Sequence, residues 1–298
     1  MVKRILDCLA SDFRQYGRDE LKQAILAGEG RTICTEMVAP REAVVGGTTN
    51  AEIARAFGSD LMLLNGLDVF NPQISGLDQT EHPIQRLKEL AGRPVGVNLE
   101  PVDLTAEMLE ERLEIAAGRI SSVATLEEAN RLGMDFICLT GNPGTGVTNA
   151  EIAKHIRLAK QHFNGLIIAG KMHGAGSKER VASIETAREF IEAGVDILLV
   201  PAVGTVPGFT DAELVEIVRF AHEHDVLVMS TIGTSQESAT QSVIEQLALR
   251  NKVAGVDIQH IGDAGYGGLA DVLNIFALSV AIRGMRHTVA RVSKSVVR

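Results

Sequence analysis

A short apolar strand followed by an amphipathic helix recurs along this chain with little interruption, and that alternation constrains the fold more than any motif does. The strand candidates are 32–39, 61–66, 94–100, 136–141, 166–170, 197–201, 226–230 and 256–261. Between and after them, apolar residues recur at helical spacing over 50–57, 83–90, 106–117, 126–131, 151–162, 178–192, 211–224 and 236–249, then again from about 269. Strands alternating with helices imply parallel strands joined by right-handed crossovers. Eight such units in 298 residues predict a closed (β/α)8 barrel, a TIM barrel, as a single domain over 1–298. A further periodic run from about 3 to 27, ended by Gly28 and Gly30, predicts an extra helix ahead of the first strand, within 1–30. A doubly wound open sheet would instead need a G-x-G-x-x-G turn after the first strand, where this chain reads TEMVAPREAVVGGTTN.

Several helix starts are marked in the sequence. Thr49 precedes Glu52 by three residues, as Thr148 precedes Glu151 and Thr210 precedes Glu213, each at the head of an apolar-periodic run. At that spacing the hydroxyl and the carboxylate reciprocally satisfy free amides, which is a capping box. No linker, low-complexity segment or charge block divides the chain.

The net charge of -9 argues against a nucleic-acid partner, because a phosphate backbone needs a basic patch. Cys8, Cys34 and Cys138 have no metal-site spacing and leave one unpaired in any disulfide scheme, which fits a reducing compartment. The opening residues MVKRILDCLASDF place Asp7 and Asp12 where a signal peptide needs an apolar run, and no apolar stretch reaches the ~18 residues of a membrane span. A cytoplasmic protein with no membrane partner is expected. With no Trp and only two Tyr, a large aromatic interface is not expected, and the final helix is the candidate surface for a homo-oligomer.

In a barrel of this kind the carboxyl ends of the strands and the loops after them form the site. Within LIIAGKMHGAG, residues 166–176, alternation puts Ile167, Ala169, Lys171 and His173 on one face. A lysine and a histidine at the carboxyl end of a buried strand make this stretch the expected catalytic centre. The first strand offers Glu36 beside Cys34, the second Asn65, and the third Asn98 and Glu100 opposite Val95, Val97 and Leu99. Thr140 and Asn142 follow on the fourth, Ser230 on the seventh and His260 on the eighth. A buried carboxylate is costly unless paired, so Glu36, Glu100 and Lys171 meeting in one cavity would explain one another. A structural ion pair without chemistry answers the same description.

Three loops are rich in the residues that cradle anions. Residues 141–148, GNPGTGVT, approach the P-loop pattern, but Val147 stands where a lysine must reach the phosphates, which excludes a P-loop nucleotidase. After the seventh strand comes STIGTS, and after the eighth GDAGYGG, just ahead of the last helix. Loops at these two places, with a helix start, are where the fold commonly binds phosphate. Here the chain resembles the broad group of phosphate-binding TIM barrels, and the resemblance implies Gly233, Thr234, Gly267 and Gly268 as phosphate contacts. Asp263 departs from that pattern, since a carboxylate repels phosphate. The chain also looks like an uncharacterised bacterial TIM-barrel family. The Asp-x-Asp motif of the dehalogenase superfamily and the glutamate-aspartate-lysine loop of the phosphonomutases are both absent.

The expected function is therefore an enzyme acting on a small phosphorylated metabolite, as a carbon-carbon lyase or an isomerase. In that scheme a desolvated Lys171 attacks a carbonyl or clamps an enolate, while Glu36 or Glu100 and His173 move protons. An alternative is a Mg²⁺ or Mn²⁺ enzyme with Glu36, Glu100 and His173 or His260 as ligands. A non-catalytic sugar-phosphate-binding barrel is the third.

Overall fold

The computed structural model describes residues 1–298, with the side chain of Tyr266 outside the description. The strands β1 (Thr32–Val38), β2 (Leu61–Asn65), β3 (Val95–Leu99), β4 (Phe136–Leu139), β5 (Leu166–Gly170), β6 (Ile197–Pro201), β7 (Leu227–Ile232) and β8 (Ile258–Ile261) pair in sequence order and close into a barrel. Every pairing is parallel, and β1 meets β8 with Cys34 opposite His260. The predicted TIM barrel is the observed fold.

Side-chain alternation divides the core into two. Ile33, Met62, Val97, Ile137, Ile167, Ala169 and Val228 face the helix layer, whereas Cys34, Leu63, Cys138, Ile168, Leu199 and Met229 fill the barrel interior. The segment ahead of β1 is two short helices, α1 (Ala10–Phe13) and α2 (Arg18–Leu26), rather than the one predicted over 3–27. The chain breaks at Gly17, whose amide donates to Glu20 at 3.1 Å as the new helix starts. Ile5, Leu6, Phe13, Leu21 and Ile25 join the interior cluster, so this segment stoppers the barrel foot.

The foot carries a device repeated on alternate strands. Asp60, Asp135, Asp196 and Asp257 immediately precede β2, β4, β6 and β8. Each carboxylate accepts from the first part of the preceding strand: Ile33 N to Asp60 (2.9 Å), Val95 N to Asp135 (2.8 Å), Ile167 N to Asp196 (2.9 Å) and Val228 N to Asp257 (2.8 Å). Each also meets a cation or imidazole, in order Arg283 with Arg291, Lys88, Arg18 and His222.

Helices α3 (Asn50–Ala56), α4 (Pro83–Ala91), α5 (Val123–Leu132), α6 (Asn149–His162), α7 (Ile184–Ala193), α8 (Asp211–Glu223), α9 (Gln241–Ala254) and α10 (Val272–Ser293) form the outer layer. Thr49 with Glu52 and Thr210 with Glu213 make complete capping boxes. Thr148 accepts from Glu151 N, but its hydroxyl donates to Asp103 at 3.0 Å and the return arm is missing.

The largest departure from the sequence pattern is the helix predicted over 106–117, which does not form. Asp103 turns the chain by accepting from Thr105 N at 2.8 Å, and the segment then spends its amides on other loops. Leu109 N donates to Gly176 O and Leu113 N to Gly144 O, at 2.8 and 2.9 Å. Residues 101–122 thus form a strap tied to the loops after β4 and β5, at the carboxyl ends of the strands.

A candidate active site at the barrel mouth

At the carboxyl ends of the strands lies a cavity of about 140 Å³, lined by polar groups from seven strand ends or following loops: Glu36, Asn65, Asn98, Thr140 with Asn142, His173, Glu237 and Asp263. A larger hollow of about 700 Å³ lies on the helix layer between α7 and α8, away from the strand ends. The fold's chemistry belongs at the mouth.

The inward parity of β1, β3 and β4 brings Glu36, Asn98 and Thr140 together as the sequence predicts. Asn98 Nδ2 donates to Glu36 Oε1 at 2.5 Å, leaving Asn98 Oδ1 buried and without a partner. His260 stands behind Glu36, fully buried, with Nε2 3.3 Å from Glu36 Oε2. That contact is close enough for ion pairing yet poorly aligned for a hydrogen bond, and neither ring nitrogen has a hydrogen-bond partner among the described residues. The Thr140 hydroxyl is likewise buried and unpartnered.

Asn65 and Asn142 face each other as a reciprocal amide pair, at 2.8 and 3.0 Å. Asn65 Nδ2 also donates to Asp263 Oδ2 at 2.8 Å. Burial pushes the Asp263 carboxyl up to about 7, helped by the negative charge of Glu36 and, more weakly, of Glu237. Glu237 accepts from Ala264 N at 3.0 Å through Oε1, its Oε2 is buried and unpartnered, and burial raises its pKa too.

Lys171 does not enter this cavity. It follows Ile167 and Ala169 toward the helix layer, where its ammonium donates to Ser177 Oγ at 3.0 Å and to Glu179 at 2.5 Å. Burial lowers its pKa while Glu179 opposes that shift. Strand alternation would have carried His173 outward too, but the chain bends past Gly170 and returns His173 to the mouth. His173 Nδ1 accepts from Ala175 N at 3.0 Å, which puts the ring proton on Nε2 in the neutral form. Burial holds this histidine below its ordinary pKa, so the neutral ring is favoured.

Glu100 is also separated from Lys171. Its carboxylate takes Arg119 Nη2 at 2.6 Å, Asn142 N at 2.9 Å and Asn142 Nδ2 at 2.9 Å, and so stitches the strap to the loop after β4. Ser230 faces outward and donates to Asn251 of α9 at 2.9 Å, which removes it from the predicted binding set. Gly233 and Thr234 line the cavity, while Gly267 and Gly268 pack against residues 38–44 outside it. Among the described residues lining the cavity none is Lys or Arg. No three His, Cys, Asp or Glu side chains converge as an ion would need, again among the described residues, so the Mg²⁺ or Mn²⁺ set of Glu36, Glu100 and His173 or His260 is not assembled. No helix among the described residues is long and apolar enough to cross a membrane.

Asp263 stood out in the sequence as a mouth residue after the eighth strand and as a misfit in a phosphate loop, whereas Glu237 was overlooked. Their signal was an acidic residue in each of the loops after β7 and β8, the two places where anion binding was expected.

A family model matches residues 6–298. The chain belongs to the DUF7916 family. That family is described as a domain of unknown function. A search of curated proteins found no match. Among solved structures, the barrel is similar to an archaeal fructose-1,6-bisphosphate aldolase, at 17% identity and a TM-score of 0.56, over 89% of this chain and 100% of that one. It is also similar to 2,3-dimethylmalate lyase, a PEP mutase/isocitrate lyase superfamily member, at 13% identity and a TM-score of 0.50, over 82% and 80% of the two chains. A putative dihydrodipicolinate synthetase from Pseudomonas aeruginosa aligns at 14% identity and a TM-score of 0.50, over 85% and 74%. At these identities the likeness is one of fold.

Proposed function

We propose that this protein is a lyase or isomerase that moves a proton on a small hydroxylated carbonyl compound at the barrel mouth. The observation that carries the reading is the pairing, in one cavity, of an Asp263 carboxyl raised to about 7 with a neutral His173 whose Nε2 proton is uncommitted. A general base works best when its pKa lies near the working pH, and Asp263 meets that condition. A neutral imidazole N–H that donates to a carbonyl oxygen stabilises the enolate formed as the base removes a proton.

With the proton taken from carbon and returned to its neighbour, the reaction is an isomerisation. With the proton taken from a hydroxyl, the adjacent carbon-carbon bond breaks and its electrons pass to the carbonyl, which is a retro-aldol cleavage. Both outcomes use the same two residues. Aldolase and lyase names among the fold's relatives are consistent with this chemistry without assigning it.

The Schiff-base route is not part of the proposal, because Lys171 is committed to Glu179 outside the cavity. A phosphate is not part of it either: three carboxylates and no Lys or Arg line the space where it would sit. The cavity has the volume of about five waters, which suits a substrate of roughly three or four carbons.

The test is deuterium exchange from D₂O into a panel of small ketoses, hydroxyketones and 2-oxo acids, followed by NMR. Exchange or turnover by the unaltered protein, lost in Asp263→Asn and His173→Asn, is expected. Absence of exchange and turnover across the panel would overturn the proposal.

A further inference from the structure

The mouth cavity has more acceptors than the fold uses. Glu36 comes from β1, Glu237 from the loop after β7 and Asp263 from the loop after β8, and all three line one space of about 140 Å³. His260 stands behind Glu36, His173 faces the cavity from the loop after β5, and the nearby Glu100 is already occupied by Arg119. None of the described lining residues is Lys or Arg.

A second observation is independent of this charge. Asn98 Oδ1 and the Thr140 hydroxyl each lack a hydrogen-bond partner, on side chains only 3% and 1% exposed. Glu237 Oε2 is also unpartnered, on a residue 2% exposed. An orphaned buried polar atom costs roughly 1–3 kcal/mol, so several lining one cavity mark a place that a ligand completes. Asn98 Oδ1 and Glu237 Oε2 only accept, so the ligand must bring donors.

We propose that the cavity is built for a substrate carrying a primary ammonium group beside its hydroxyls, with the ammonium held between the Glu36 and Glu237 carboxylates. This rests on the proposed proton-transfer reading of the same site and specifies its substrate class. An ammonium supplies three donors and one positive charge, which matches unfilled acceptors in an acidic, cation-free space. A neutral polyol supplies donors without charge, and a phosphate supplies neither. Bound positive charge also favours the ionised form of Asp263, so substrate binding prepares the base.

Three ligands of similar core separate these cases: 2-amino-1,3-propanediol, glycerol and glycerol 2-phosphate, titrated into the unaltered protein by calorimetry or NMR. The amine is expected to bind at least about tenfold tighter than glycerol, with the phosphate weakest. Its affinity should rise from about pH 6 to about pH 8 as Asp263 gives up its proton. Glu237→Gln should remove the preference for the amine, bringing its affinity to within about twofold of that of glycerol for the same variant. An amine no tighter than glycerol, a phosphate tighter than either, or no binding by any of the three overturns the inference. The comparison on the unaltered protein decides by itself, so a variant that does not fold leaves the test intact. Deuterium exchange without amine preference overturns only this inference; amine preference without exchange or turnover on any amine-bearing carbonyl compound overturns only the proposed chemistry.

Discussion

The side-chain amide of Asn65 donates to Asp263 Oδ2 at 2.8 Å, joining the end of β2 to the loop after β8 across the barrel mouth. That single bond favours the ionised carboxylate, yet burial and the nearby Glu36 outweigh it and lift Asp263 to about 7. The folded protein therefore binds this proton more tightly than the unfolded chain does. A carboxyl with a raised folded pKa makes stability fall as pH rises from the unfolded value near 4 through about 7. Asp263→Asn should be more stable than the unaltered protein at pH 8, by about 1–3 kcal/mol, and close to it at pH 4. Urea unfolding at the two pH values checks this, and a variant less stable at pH 8 would contradict it.

Lys171 and Glu179 make the opposite kind of pair, one that holds structure. The ammonium is 1% exposed and Glu179 29%, so loss of the lysine leaves a carboxylate that can turn back toward water. Lys171→Met should cost about 2 kcal/mol, and Lys171→Met combined with Glu179→Gln should recover about half of it. Borohydride treatment in the presence of any turned-over substrate should give no adduct at Lys171. A trapped adduct there would restore the Schiff-base mechanism.

The bend after β5 is also open to test. Gly170 has φ +150°, and a Cβ built on it would lie 2.0 Å from Leu199 O on β6. Backbone cannot yield as a flexible side chain can. Gly170→Ala should therefore lose about 3 kcal/mol or more, and it should weaken ligand binding at the mouth by shifting His173. Thermal unfolding and ligand titration read the two effects separately.

Strand and helix periodicity was legible because the strands are short, mostly apolar, and most of them start after a charged, proline or glycine residue. The parity of Glu36, Asn98 and Thr140 was equally legible, since a period of two leaves few choices. The sense of the fifth strand was not: alternation groups Lys171 with Ile167 and Ala169 but does not say which face is inside. Its neighbours give the answer, because Ile168 fills the barrel and Ile167 does not. The strap over 101–122 misled for another reason. Leu109 and Leu113 fall at helical spacing, yet they are exposed, and the segment's amides find partners in the glycine loops. Periodicity cannot register hydrogen bonds to residues far along the chain. The acidic character of the mouth was hidden similarly, because Glu36, Glu237 and Asp263 are neighbours only once β8 closes on β1.

The fourfold aspartate device at the foot gives a graded prediction. Asp60 is fully buried, accepts from Ile33 N, and meets Arg283 and Arg291 at 2.7 and 2.8 Å, both of them buried. Removing its charge leaves two guanidiniums without their counter-ion in a dry site, so Asp60→Asn should cost about 3–5 kcal/mol. At Asp135 and Asp196 the cations Lys88 and Arg18 are 27% and 23% exposed, and the same substitution should cost about 1–2 kcal/mol. Asp257 differs because its partner, His222, titrates. Asp257 raises the pKa of His222, so that contact stabilises fully below the unfolded histidine pKa of about 6.5 and is lost as pH climbs through the raised folded value. The cost of Asp257→Asn should therefore shrink between about pH 6 and about pH 9, while that of Asp60→Asn stays level. Urea midpoints for the four variants at both pH values test the order, and an Asp60→Asn variant no worse than the other three would show that the buried arginines need no counter-ion.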